Sequence, residues 1–216
     1  MITEPTLSIE SKGKDAIKVK NNLHVIFATN NDWSVPAGPK ERRFFVVDVG
    51  EKHLQDHQYF GKLIDQMNNG GREALLHYLL NYDVSKLNLR KFTHTDALLE
   101  QKLYSLSPGQ KFWHYVLQRG CLYSDSKKGW DDGKIETKKL YDEFKEFVND
   151  MGIRHKPSDT EFGIHLKKLL PEGIEYKKKC ALVTSDRKSC YVFPSIVECR
   201  KGFEKFIDYK INWSTE

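Results

Sequence analysis

Two short apolar runs, residues 23–28 and 44–47, constrain this chain most. The first is broken only by His24, and the second continues past Asp48 to Val49. Runs of this kind suit central strands covered on both faces. Ahead of them, Leu7 and Ile9 alternate with polar neighbours, as do Ile17 and Val19. Period two marks half-buried strands. The intervening Ser11-Lys12-Gly13-Lys14-Asp15 is a short glycine-centred turn, so the reading is an antiparallel hairpin with Lys12 and Lys14 at its tip.

Polar groups sit where these expected strands begin and end. The first run leads into Thr29-Asn30-Asn31-Asp32, and ligands of open α/β sheets bind beyond the carboxyl ends of strands. An irregular Pro- and Gly-containing loop follows, and Arg42-Arg43 stands at the entrance of the second run. Guanidinium groups suit phosphate recognition and developing phosphoryl charge. Taken singly, each signal has an ordinary surface explanation: a solvated turn, an Asx cluster, a basic pair.

The order of these signals resembles the superfamily-three helicases of the AAA+ class, and among them the phage and plasmid primase-helicases. The resemblance is strongest over residues 2–106. It implies that the hairpin lines a central pore and grips single-stranded DNA through Lys12 and Lys14. It further implies that Asn30 is the sensor-1 residue reading a γ-phosphate, and that Arg42 or Arg43 is the arginine finger reaching a neighbouring subunit's nucleotide. ATP and Mg²⁺ would be cofactors of the parent protein, and a homo-oligomeric ring its working form. The chain departs from the family in lacking G-x-x-x-x-G-K-[ST] and an apolar strand ending in paired acids. Relatives carry both upstream of the hairpin, so the expectation is a truncated chain that alone uses no cofactor and is not catalytic.

From residue 55 to 80 the pattern turns helical, with Phe60, Leu63, Ile64 and Met67 on one face and Asn69-Gly70-Gly71 as a stop. A second helix carries Leu75, Leu76, Leu79 and Leu80. A third spans residues 95–106 and ends at Ser107-Pro108-Gly109, where the domain boundary is placed. His53 and His57 stand four residues apart with no third ligand nearby, so no metal site is expected.

The C-terminal block begins with a short helix over residues 110–117. Thr137 opens an amphipathic helix bearing Leu140, Phe144, Phe147, Val148 and Met151, and Gly152 stops it. Ser158 with Glu161 forms a capping box for the next helix, which buries Phe162, Leu166, Leu169 and Leu170 and turns His165, Lys167 and Lys168 outward. Residues 174–184 and 189–193 read as strands joined by Ser185-Asp186-Arg187-Lys188, and Phe203, Phe206 and Ile207 belong to a last helix. Helix, turn, capped helix and a basic-tipped ribbon is a winged helix-turn-helix pattern. Lys167, Lys168, Lys177, Lys178, Lys179, Arg187 and Lys188 are then candidate contacts to the DNA backbone. No Arg, Asn or Gln stands on the outer face of the capped helix to read bases.

The fold expected is therefore an α/β remnant of an AAA+ core followed by an α+β winged-helix-like domain. Residues 1–52 hold the hairpin, two core strands, sensor and finger. Residues 53–106 are the helical part and connector, and 107–216 the winged-helix-like domain. Charge agrees in sign. The net charge is +5. The first 106 residues hold 14 Lys and Arg against 13 Asp and Glu, and the remaining 110 hold 21 against 17. No apolar run approaches the ~20 residues of a membrane helix. The first residues, with no basic start and no long apolar centre, give no expectation of a secretion signal. The four cysteines, at 121, 180, 190 and 199, form no C-x-x-C pair and read as reduced thiols of a cytoplasmic protein. No nucleophile–base pair stands out. Two further readings stay open: a stand-alone DNA- or protein-binding module, and an inactive remnant.

Overall fold

The helix that opens the main core, α4, shows how this chain builds its structure from local signals. A computed structural model describes residues 4–10, 12–13, 15–88, 94–123, 129–130, 133–154, 156–171, 177–181 and 187–213, with backbone alone at 177–181 and 187. In it α4 (Pro108–Arg119) starts with proline at its first position. The Ser107 amide donates to Gln110 Oε1 at 2.9 Å. Gly120, at φ 75°, closes the other end, and its amide donates to the Val116 carbonyl. Phe112, Trp113, Val116 and Leu117 recur at three- and four-residue spacing and are all buried.

The chain divides into two units, Met1–Ser34 and Val35–Glu216. In the first, β1 (Thr6–Ile9) pairs antiparallel with β2 (Ile17–Lys20) in the register Thr6↔Lys20 to Ile9↔Ile17, as the alternation predicts. Gly13, at φ 79°, supplies the left-handed turn residue.

The expected strand at 23–28 does not form. These residues enter no ladder, and Ile26 is 95% exposed. An apolar run becomes a central strand only when neighbours satisfy its amides and carbonyls on both edges. Among the described residues the one sheet in this unit is the two-stranded hairpin. The run at 44–49 corrects in a related way. Its period two survives, with Phe44 and Val46 half-buried and Phe45, Val47 and Val49 exposed, but the inner residues pack on a helix rather than join a sheet.

That helix is α3 (Asp96–Tyr104), capped by Thr95 Oγ1, which accepts from the Leu98 amide. Leu98 packs with Val35 and Ala37. Gln101 Oε1 accepts from the Val35 amide, Ser105 Oγ accepts from the Ala37 amide, and Thr95 Oγ1 donates to the Val46 carbonyl. The 35–46 segment is thus fastened to α3 along its length.

Between them lie α1 (His57–Gln66) and α2 (Arg72–Leu80), with a kink at Asn69 and at Gly70, the latter at φ 88°. Neither helix buries a residue. Leu63, Ile64, Leu75, Leu76 and Leu79 remain largely exposed.

The main core gathers α4, α5 (Thr137–Asp150), α6 (Asp159–Lys167), α7 (Ile196–Ile207) and a sheet of β3 (Lys134–Glu136), β4 (Lys177–Ala181) and β5 (Arg187–Val192). The sheet is antiparallel in the order β3-β5-β4. Phe112, Phe144 and Phe162 bring α4, α5 and α6 together, the last two rings stacking at 4.6 Å. Such rings add about 0.5–1.5 kcal/mol per pair beyond their burial. Gly152, at φ 65°, ends α5 as expected. Ser158 and Glu161 form the expected capping box of α6. Tyr141 on α5 donates to the Pro157 carbonyl just before it. The three-residue β3 was not foreseen. It exists because β5 pairs with it and because Gly133, where a Cβ would collide with the Phe193 carbonyl oxygen, allows the approach.

Candidate nucleic-acid interface

Of the sequence-derived site residues, Lys12, Lys14 and Asn30 belong to the first unit and the others to the second. Lys12 is exposed in the turn of the β1–β2 hairpin, while Lys14 lies outside the described residues. Asn30 is exposed in unpaired chain, so it does not stand at a strand end. Beside it Thr29 Oγ1 accepts from the Asn31 amide at 3.1 Å, the local turn that such clusters commonly form.

Arg42 and Arg43 do not precede a strand. Both are exposed on a loop whose backbone is held by one carboxylate: Glu41 Oε1 accepts from the Arg42 amide at 2.8 Å and the Arg43 amide at 2.6 Å. With Val35 and Ala37 buried on one side and Phe44 and Val46 seated on the other, the loop is fixed at both ends. It forms a cleft of about 440 Å³ with Phe206 of α7, lined also by Lys40.

The carboxyl end of α7 is reached from α3. Lys102 is fully buried, and its Nζ donates to the Ile207 carbonyl at 2.9 Å. Burial pulls its pKa down, while the charges of Asp208 and Glu41 oppose this. Tyr209 donates to Asp96 Oδ1 at 2.9 Å, and Glu204 Oε1 accepts from both the Ile211 amide and Trp213 Nε1. These bonds fasten residues 209–213 around α7. Neither Lys102 nor Phe206 was recognisable as a site element from the sequence, because their partners lie far along the chain. A lysine among apolar helix positions was the one available signal.

In the C-terminal core, α6 ends with Lys167 and Lys168, both exposed. Its first turn carries exposed Asp159 and Glu161, so an approaching phosphate meets positive charge only at the helix's far end. Ile164, not a polar residue, is the large exposed side chain midway. Lys188 on β5 makes an ion pair with Glu136 on β3 at 3.4 Å. Lys177, Lys178 and Lys179 pair in register with Tyr191, Cys190 and Ser189. The side chains of those three lysines and of Arg187 lie outside the described residues. Among the described residues, no group of three His, Cys, Asp or Glu converges as a metal site, and no helix is long and apolar enough to cross a membrane.

One family model matches. It is DUF5906, a family of unknown function, over residues 1–43. The match takes in the hairpin, Asn30 and both arginines. No curated protein and no solved structure matches the chain.

Proposed function

We propose that this chain binds DNA through a winged helix-turn-helix formed by residues 107–216, as a part of a superfamily-three replication helicase. The carrying observation is topological. The order helix, strand, helix, capped helix, strand, strand, with the last strand central in an antiparallel β3-β5-β4 sheet, is the arrangement that reading requires. In it α6 enters a groove and the β4–β5 ribbon flanks it. Contacts fall on phosphates, from Lys167, Lys168, Lys177, Lys178, Lys179, Arg187 and Lys188. Asp159 and Glu161 at the start of α6 favour an approach led by the ribbon.

The helicase part rests on motif order. The β1–β2 hairpin presents Lys12 at its tip, supporting the pore-loop role for Lys12 and Lys14. Asn30 and Arg42 or Arg43 would respond to nucleotide held on other polypeptide, in a ring with ATP and Mg²⁺ as the assembly's cofactors. The chain alone hydrolyses nothing on this reading.

The test is neutralisation by cluster. Replacing Lys177, Lys178, Lys179, Arg187 and Lys188 with Gln lowers affinity for a duplex at least tenfold, and Lys12→Gln with Lys14→Gln leaves duplex affinity unchanged. Duplex binding untouched by the ribbon replacements refutes the winged-helix role, and ATP turnover by the chain alone refutes the non-catalytic one.

A further inference from the structure

We propose that the cleft between the 38–43 loop and α7 is a single-stranded nucleic-acid site, taking phosphates at Lys40, Arg42 and Arg43 and a base against Phe206. This does not rest on the winged-helix reading, and it takes Arg42 and Arg43 as strand contacts in place of the nucleotide-responding role.

Four observations meet at this place. The cleft is about 440 Å³, inside the ~300–1,000 Å³ range of small-ligand sites. Its charged lining is three cations against the single Glu41. Glu41 is turned into the loop backbone, where it accepts both arginine amides, so it shapes the loop. Among the described residues no ion pair engages Lys40, Arg42 or Arg43, and all three are exposed.

The aromatic wall gives the ligand its class. Phe206 is half-buried, with Phe203 at 6.0 Å behind it. A fixed ring beside exposed guanidinium groups offers a base a stacking platform and its phosphates a charged rim. An inorganic anion would make no use of the ring. Duplex DNA stacks its bases internally and would not present one. Unpaired strand uses both.

A second cleft along α7 is lined by Lys201, Lys205, Tyr209 and Lys210 together with His94. Its acids are Glu204, which is bonded to the Ile211 amide and to Trp213, and Asp208 at the end of the helix. Lys201, Lys205 and Lys210 beside the Tyr209 ring suit contact with more than one nucleotide. The mount is stiff. The loop is bonded to α3, and Lys102 ties α3 to the end of α7, so the arginines and Phe206 are held by one scaffold.

The experiment uses the full chain and an oligothymidylate of about eight nucleotides. Arg42→Gln with Arg43→Gln lowers its affinity at least tenfold and reduces the salt slope by about 1 to 1.5, since each phosphate contact on single strands contributes ~0.7. Duplex affinity stays as in the parent chain. Bromodeoxyuridine in the same oligonucleotide, photo-crosslinked to the unsubstituted protein, labels the peptide containing Phe206. That arm needs no variant to fold. Unchanged oligonucleotide affinity in the double variant overturns the proposal, as do crosslinks confined to the ribbon and the hairpin tip. Free ATP binding more tightly than the oligonucleotide overturns the assignment to a strand.

Discussion

Lys102 donates from its buried Nζ to the carbonyl of Ile207, 2.9 Å away and 105 residues along the chain. Ile207 is the last residue of α7, and Asp208 beyond it is left-handed at φ 54°. A helix end leaves carbonyls unsatisfied and partly negative, so a buried ammonium there is favourably placed. Lys102→Met removes the donor and orphans the carbonyl. The expected loss is about 1.5–3 kcal/mol by urea denaturation, the range for hydrogen bonds to charged groups. Burial lowers the folded pKa below the usual 10.5. Between the two values the unfolded chain holds more protons, so this group's contribution rises with pH across that window. The difference between parent and variant therefore grows as pH rises through that window toward 10.5. A difference that shrinks instead contradicts the assignment.

His114 supplies a second pH dependence with its own window. Its ring lies 5.4 Å from Phe203 and 5.7 Å from Trp213, and its buried Nε2 has no hydrogen-bond partner among the described residues. Burial lowers its pKa below the usual 6.5. As pH falls through 6.5 the unfolded chain takes up a proton that the folded chain refuses, so stability drops. His114→Phe keeps an aromatic ring and removes the titration. Urea midpoints at about pH 7.5 and about pH 5.5 differ less for the variant than for the parent.

Two apolar side chains of similar appearance in the sequence differ in what they hold up. Phe144 is fully buried between Phe112 and Phe162. Phe144→Ala costs about 3–5 kcal/mol. Leu63 on α1 is 43% exposed on a helix that buries nothing. Leu63→Lys changes stability by less than about 0.5 kcal/mol. Thermal and urea unfolding measure both, and a large loss at Leu63 would mean that α1 packs on the core.

The described cysteines differ in reach. Burial pushes the Cys199 thiol up to about 12, and no exposed surface remains on it. Cys190 is equally enclosed, whereas Cys121 is partly exposed. Iodoacetamide with peptide mass spectrometry labels Cys121 on the native chain and leaves Cys199 unmodified until urea is added.

How far the sequence reached depends on how local each signal is. The box at Ser158 and Glu161, the stop at Gly152 and the hairpin at Gly13 involve residues within a few positions of one another, and each formed as read. The run at 23–28 stays out of a sheet because apolar content marks a strand only where partners exist to complete its ladder. β3 is the converse case: three residues carry almost no pattern, and β5 makes them a strand. The segment at 35–46 looked like a loop and a strand entrance, yet its order comes from Leu98, Gln101 and Ser105 on α3. Phe206 beside the arginines, and Lys102 at the end of α7, depend on contacts across more than a hundred residues and leave no periodic trace.

The most direct test of the central claim, that this chain grips DNA through its backbone phosphates, is the affinity of the full chain for a duplex between about 50 and about 200 mM salt. With the ribbon and the end of α6 supplying the contacts, log affinity falls linearly with log salt, with a slope of about −4 to −6 at ~0.9 per phosphate. Neutralising Lys177, Lys178, Lys179, Arg187 and Lys188 flattens that slope. Affinity indifferent to salt, or a slope unchanged by those replacements, contradicts the account.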